Sequence, residues 1–271
     1  MHNLKPIVLT SPHNDQVKRW RKLQSRKGRQ TLGTLWIEGE HLLEESVKAG
    51  WRVRALIVDQ EREAEHRQWW EQRIKNVPVY FLPTRLYRTL ADTETPQGIA
   101  AEVEIPKREV DPAIPADGVL LLLDAVQDPG NVGTMLRTAR AVGATGVWLG
   151  KGTVDPYNPK VVRAAMGALF HVPIRMIDLH EELPRLRSAG YRVVGTHPRG
   201  DNVHFDVSYP GRTAFLLGNE GRGVDPELMR WVDCKVSIPM PGGAESLNVS
   251  VTASLLLYEY LRQQRGGSLD C

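Results

Sequence analysis

Phe215-Leu216-Leu217-Gly218-Asn219-Glu220-Gly221-Arg222-Gly223 and Val236-Ser237-Ile238-Pro239-Met240-Pro241-Gly242-Gly243-Ala244-Glu245-Ser246-Leu247-Asn248-Val249-Ser250-Val251 share one plan: a short apolar strand, a glycine-bearing loop, then a helix. A strand ending in such a loop offers backbone N–H and C=O groups to a ligand, and two nearby can enclose a flat, polar one. Upstream, Val119-Leu-Leu-Leu-Leu-Asp124 is an unbroken apolar run, the pattern of a strand buried on both faces of a parallel sheet. Between these stretches strand and helix alternate. Helices are predicted at Val132–Val142, Pro159–Leu169, Leu179–Ser188 and Pro226–Val232, and strands at Gly146–Leu149, Val172–Ile177, Tyr191–Thr196, Thr213–Leu217 and Lys235–Ile238. That alternation predicts an α/β domain with a doubly wound parallel sheet over 119–271. Leu247, Val249 and Val251 alternate like a strand, but Ser246 as a cap and the run from Leu255 to Leu261 favour a helix from about Leu247.

Residues 1–105 read as a smaller α/β domain, with strands at 34–37, 53–58, 77–82 and 98–105 and helices at 40–49, 63–74 and 83–90. A proline-bearing, weakly apolar linker at 106–118 separates the two. The first thirty residues hold eight Lys or Arg and one acidic residue, Asp15. Within them, residues 14–30 place Val17, Trp20 and Leu23 three apart, ringed by Lys18, Arg19, Arg21, Lys22, Arg26 and Lys27: an amphipathic helix with a basic face. Such a face is either a solvated surface or a patch for nucleic-acid phosphates, and the local pattern leaves both readings open.

Composition narrows the function classes. With 271 residues, 41% of them hydrophobic and 25% charged, the chain has the makeup of a folded protein rather than a disordered one. Two cysteines, Cys234 and Cys271, give neither a disulfide framework nor paired zinc spacing, and a reducing cytoplasm is expected. No signal-type apolar segment or membrane-length run is present. Gly218-Asn-Glu-Gly221-Arg-Gly223 reverses the dinucleotide fingerprint, and Gly150-Lys151-Gly152-Thr153 lacks the spacing of a phosphate loop. The eight histidines lack metal-helix spacing, so no metal is expected.

A third loop completes the pattern: Asp124-Ala-Val-Gln127-Asp128-Pro129-Gly130-Asn131-Val132-Gly133, with Arg137 in the following helix. Alone, Asp-Pro-Gly-Asn is a good turn and helix cap. In α/β sheets, however, ligands sit at the carboxyl ends of strands, where these three loops would converge. Taken together, Asp124-x-x-Gln127-Asp128-Pro129-Gly130-Asn131-x-Gly133-x-x-x-Arg137, Leu217-Gly218-Asn219-Glu220-Gly221-x-Gly223, and Ile238-Pro239-Met240 with Ser246-Leu247-Asn248 resemble the three ordered motifs of the SpoU/TrmH branch of the SPOUT RNA methyltransferases. Asn158-Pro159-Lys160 through Phe170 is similar to the segment between the first two motifs. The N-terminal region is similar to the substrate-binding extension of ribosomal-protein L30e type found in many members.

The resemblance implies a C-terminal trefoil knot holding S-adenosylmethionine, a homodimer packed through the knotted domain, and methyl transfer to a ribose 2′-hydroxyl of RNA. A guanosine of 23S ribosomal RNA is favoured over transfer RNA. By motif, Leu217, Gly218, Asn219, Ile238, Met240, Ser246 and Leu247 would hold the cofactor. Asn131, Arg137, Glu220, Ser246 and Asn248 would form the catalytic cluster, with Glu220 and the two amides holding Arg137 and the ribose. Since a guanidinium stays protonated, Arg137 is expected to orient the hydroxyl and phosphate more than to act as base. The basic face formed by Lys18, Arg19, Arg21, Lys22, Arg26 and Lys27 would then grip RNA. Other outcomes are a transfer-RNA 2′-O-methyltransferase, a base methyltransferase on the same fold, and an RNA-binding ribosome-assembly factor without catalysis.

Overall fold

A computed structural model describes residues 5–106, 113–197 and 200–266, so 107–112 of the expected linker fall outside the described residues. The chain forms two compact units, one of residues 1–109 with 157–170, the other of 110–156 with 171–271. The return of 157–170 to the first unit is a feature that the strand–helix alternation did not announce.

In the first unit β1 (Ile7–Val8), α1 (Asp15–Lys22), α2 (Arg26–Leu32), β2 (Thr34–Glu38), α3 (Glu40–Lys48), β3 (Val53–Asp59), α4 (Glu63–Arg73), β4 (Val79–Leu82), α5 (Thr84–Arg88) and β5 (Ile99–Glu104) follow in order. They build a five-stranded mixed sheet, β1-β4-β3-β5-β2. Here β5 runs antiparallel to both β3 and β2. The single basic helix expected over 14–30 is instead two short helices, because Ser25 stops one and starts the other. Its hydroxyl donates to the Lys22 carbonyl at 3.0 Å and accepts the Gly28 N–H at 3.0 Å. Gly28 permits this turn, since a Cβ there would lie 1.9 Å from the Lys22 carbonyl oxygen. Val17, Trp20 and Leu23 are buried as the spacing predicts. Trp20 meets Tyr80 edge-on at 5.1 Å and donates its indole N–H to Glu102 at 3.0 Å.

The second unit opens with β6 (Val119–Leu123), α6 (Pro129–Val142) and β7 (Gly146–Leu149). The chain then passes through α7 (Pro159–Ala164) in the first unit, and returns as β8 (Ile174–Met176), α8 (Leu179–Ser188) and β9 (Arg192–Thr196). It ends with β10 (Asn202–Val203), β11 (Thr213–Leu217), β12 (Cys234–Ser237) and α9 (Val249–Gln264). Seven strands form one sheet in the order β10-β12-β9-β11-β6-β7-β8, every pairing parallel. All five residues of β6 and of β11 are buried, as a doubly covered parallel sheet demands.

Three expected elements differ. The helix over Pro159–Leu169 stops at Ala164, because Met166 and Gly167 take positive φ (47° and 83°) and a 3-10 turn, Ala168–Phe170, follows. Pro226–Val232 yields only a 3-10 turn, Leu228–Trp231, between β11 and β12. The last helix begins at Val249 with Asn248, rather than Ser246, as its cap, the Asn248 side chain accepting the Ser250 N–H at 2.8 Å.

Candidate functional site

Parallel pairing puts the carboxyl ends of β6, β11, β9 and β12 on one edge, and all three sequence-flagged loops leave from it or lead back to it. The loop after β6 turns sharply at Ala125, a non-glycine residue at φ 52°. Strain of this kind persists where the surroundings over-determine it, and here they do. The Asn219 amide donates to the Ala125 carbonyl at 2.9 Å, and Asp124 accepts the Asp225 N–H at 2.8 Å. Burial pushes the Asp124 carboxyl up despite that bond. Asp128 then caps α6, accepting the Asn131 N–H at 2.8 Å, with Pro129 in the first helical turn.

Glu220 stands at the centre. One of its oxygens accepts the Gln127 N–H at 3.2 Å, and the other accepts the Asp128 N–H and the Asn131 side-chain amide, both at 3.1 Å. Burial raises its pKa, but hydrogen bonds from Asn131 and from the backbone of Glu220, Asp128 and Gln127 outweigh this and hold the carboxyl below its ordinary range. An ionised carboxylate only accepts, so Asn131 must turn its NH2 to it and its carbonyl oxygen away. That oxygen accepts the Asn248 NH2 at 2.9 Å, and the Asn248 oxygen in turn accepts the Ser250 N–H and hydroxyl, the latter at 2.6 Å. The anion thus fixes the sense of a whole chain, Ser250 to Asn248 to Asn131 to Glu220. This chain ties together the loop after β6, the loop after β11 and the start of α9.

Of the expected catalytic cluster, the structure therefore brings together Asn131, Glu220 and Asn248. Arg137 is exposed on α6 and makes no hydrogen bond or ion pair among the described residues. Glu220 does not hold Arg137, contrary to expectation, because its oxygens already serve Gln127, Asp128 and Asn131. Ser246 is exposed and likewise outside the network.

The expected cofactor residues fall into two groups. Leu217 and Gly218 are buried, and a Cβ at Gly218 would lie 2.1 Å from the Gly223 carbonyl carbon, so the loop closes on itself only with glycine. The Asn219 side chain is used inside that loop, accepting the N–H groups of Gly221 and Arg222 at 3.0 and 3.2 Å. Ile238 and Met240 are partly exposed and Leu247 is exposed, and their backbone N–H groups carry no hydrogen bond among the described residues. Apolar side chains beside free backbone donors suit a flat heterocycle with a polar edge, and the residues fit the adenosine part of S-adenosylmethionine.

Sequence reasoning missed Ala125 and Asp124 as shapers of the site, and Thr196. β9 lies between β11 and β12, so its last residue, Thr196, stands between the two loops expected to hold the cofactor. Only strand order, which alternation does not encode, could have found it.

The SpoU rRNA Methylase family profile matches residues 118–258, and that of an MRM3-like substrate binding domain matches residues 14–101. The chain belongs to the SpoU rRNA methylase family. It is 38% identical to 23S rRNA (guanosine(2553)-2′-O)-methyltransferase RlmP of Bacillus subtilis, over 92% of this chain and 97% of that one. It is 32% identical to a 23S rRNA (uridine(2479)-2′-O)-methyltransferase of Streptomyces viridochromogenes, over 94% of this chain and 92% of that one. Among solved structures, the SpoU methyltransferase AviRb of the same organism, in complex with AdoMet, superposes with a TM-score of 0.85 at 31% identity. That superposition covers 94% of this chain and 100% of that one. An AdoMet-bound rRNA methyltransferase from Sinorhizobium meliloti gives 0.82 at 29% identity, covering 95% and 97%.

Proposed function

We propose that this SpoU methylase transfers a methyl group from S-adenosylmethionine to the ribose 2′-hydroxyl of a guanosine in 23S ribosomal RNA. The observation that carries the reading is the Glu220–Asn131–Asn248 chain, which locks three motif loops at the carboxyl edge of the sheet. Guanosine is favoured because the relative at 38% identity is named for guanosine and the one at 32% for uridine.

S-adenosylmethionine, when bound, supplies a methyl group on a sulfonium. The protein must align a weak nucleophile with that methyl and take up the hydroxyl proton. Arg137, exposed and uncommitted among the described residues, would offer its donors to a phosphate and the hydroxyl of an incoming ribose. Leu217, Ile238, Met240 and Leu247 hold the cofactor through apolar surface and backbone groups. Asn131 and Asn248 act chiefly through each other, keeping those loops in register.

The N-terminal unit grips RNA. Lys18, Arg21, Lys22, Arg26 and Lys27 are exposed on α1 and α2, whereas Arg19 turns inward to Glu102, at 2.9 and 2.7 Å. Lys18 also meets the fully exposed Asp15 at 3.4 Å, a pair that water screens, so five of the six expected cations remain for phosphates. The protein works in the cytoplasm as a homodimer packed through a trefoil-knotted C-terminal region. On α9, Val251, Leu255 and Tyr258, spaced four and three apart along one helix face, are 46%, 38% and 52% exposed. Such a stripe is the surface that a second copy would cover.

The test is transfer of tritiated methyl from S-adenosylmethionine to 23S ribosomal RNA, followed by mapping of 2′-O-methyl positions. A guanosine labelled on its ribose is expected. Label on a base, on transfer RNA alone or nowhere sinks the reading.

A further inference from the structure

Residues 157–170 return to the first unit, where Met166 is their one exposed apolar side chain. Val161, Val162, Ala165, Gly167, Ala168, Leu169 and Phe170 are buried, while Met166 is 49% exposed. Met166 also stands at φ 47°, a left-handed conformation that side chains other than those of Gly, Asn and Asp seldom adopt. An exposed apolar residue could relax out of that conformation if nothing held it.

Its neighbours hold it on both sides. His41 on α3 donates its Nε2–H to the Met166 carbonyl at 3.3 Å. Gly167 follows at φ 83°, so close to α3 that a Cβ there would lie 2.7 Å from Glu45 Cγ. Trp51 donates its indole N–H to the Phe170 carbonyl at 3.1 Å and meets the Phe170 ring edge-on at 5.0 Å. Arg163 on α7 is ion-paired to Asp92. Local strain maintained in this way marks a position where the side chain's direction is used. His41, whose ring meets the Met166 carbonyl, is exposed, and so is Lys160 on α7. A polarisable sulfur and an imidazole each suit the face of a heterocycle, and a cation on the same segment suits the phosphate backbone attached to it.

We propose that Met166, with His41 beside it, is the platform on which a nucleobase of the substrate RNA rests. This rests on the reading of the protein as an RNA methyltransferase and adds a base-contacting residue on the first unit. The basic helices α1 and α2 hold the backbone without reading bases, whereas a stack on Met166 would fix which nucleotide is presented.

Strain makes the test discriminating. Glycine and asparagine accept positive φ, so Met166→Gly and Met166→Asn are expected to keep or raise the melting temperature while removing the thioether. S-adenosylmethionine affinity is expected to stay within about two-fold of the wild type. KM for a ribosomal RNA fragment is expected to rise roughly two- to ten-fold, the size of a lost sulfur–ring contact, with kcat much less affected. Met166→Leu, which keeps apolar bulk, is expected to retain most of the affinity for RNA. Melting temperatures that hold or rise with an unchanged KM for RNA in both variants would overturn the proposal. Loss of stability in both shows Met166 to be a structural residue and overturns it equally. A wild type that methylates no RNA overturns the functional reading as well, whereas an active wild type with indifferent variants overturns this inference alone.

Discussion

At the residue scale, Glu220 decides how the site is held. Among the described residues its carboxylate accepts from the backbone N–H groups of Gln127 and Asp128 and from the Asn131 amide. Glu220→Gln turns an NH2 toward some of those donors and breaks the chain that runs on to Asn248. Turnover is expected to fall roughly 10²-fold with loss of such a positioned group, and S-adenosylmethionine affinity to fall with it, because the same chain orders the cofactor loops. Isothermal titration beside the methyl-transfer assay separates the two effects; full affinity with lost turnover would make Glu220 a reacting group rather than a tie. The pH dependence has a definite sign. Folding lowers the Glu220 pKa below its ordinary value of 4.5, so the bond network contributes fully above that value. The contribution disappears as pH falls through the depressed pKa of the folded state. Hydrogen-exchange protection of the Gln127 and Asp128 amides is therefore expected to be flat from neutrality to about pH 5, and to drop only below the ordinary carboxylate range. Asn131→Asp is expected to be worse than Asn131→Ala, since it sets a second carboxylate against Glu220. In the sequence, Asn131, Glu220 and Asn248 were legible as one cluster because each lies in a motif. That Glu220 ties Asn131 and leaves Arg137 alone was not, since hydrogen-bond direction depends on where three distant loops meet.

At the scale of elements, the strands of the large sheet were legible because burial on both faces leaves only apolar residues, as in Val119–Leu123 and Thr213–Leu217. Short irregular pieces were not. The break between α1 and α2 depends on one serine hydroxyl and one glycine, which a periodicity of apolar residues passes over. The same limitation hid the role of Arg19, assigned to the basic face by its position on the helix. Buried Glu102 collects Arg19 through two nitrogens, the Trp20 indole and the Thr34 hydroxyl at 2.8 Å. Glu102→Ala leaves two buried donors unpaired and releases α1, and is expected to destabilise the first unit by about 2–4 kcal/mol in denaturant unfolding. The Arg19 bond is the smaller part, because that side chain is 36% exposed and screened by water. Charge reversal at Lys22, Arg26 and Lys27 has a different signature. RNA affinity falls and its salt dependence flattens, while melting temperature and cofactor affinity stay put. Unmoved RNA affinity would leave α1 and α2 an ordinary solvated surface.

At the scale of the whole molecule, what the strand–helix pattern could not supply was the path of the chain. Alternation gives the same prediction whichever strand neighbours which, so neither the order β12-β9-β11 nor the excursion of 157–170 into the first unit follows from it. Assembly is a further property of this kind, written on a surface rather than in a motif. α6 and α9 pack together, Thr138 and Ser254 sharing a hydrogen bond at 3.0 Å, while α9 shows Val251, Leu255 and Tyr258 to solvent. An apolar stripe on a helix that also begins at Asn248 would link subunit association to the site, because covering the helix steadies the residue that caps it. The wild type is expected to sediment as a dimer of its 30.4 kDa chain. Val251→Asp with Leu255→Asp is expected to yield a folded monomer, since both positions are exposed within a subunit and neither contributes to its core. That monomer should retain RNA binding through the first unit and lose methyl transfer, with weakened cofactor affinity. Sedimentation velocity and the tritiated-methyl assay on the same samples decide it: a dimeric double variant moves the interface elsewhere, and a monomer with full turnover makes each subunit's site self-sufficient.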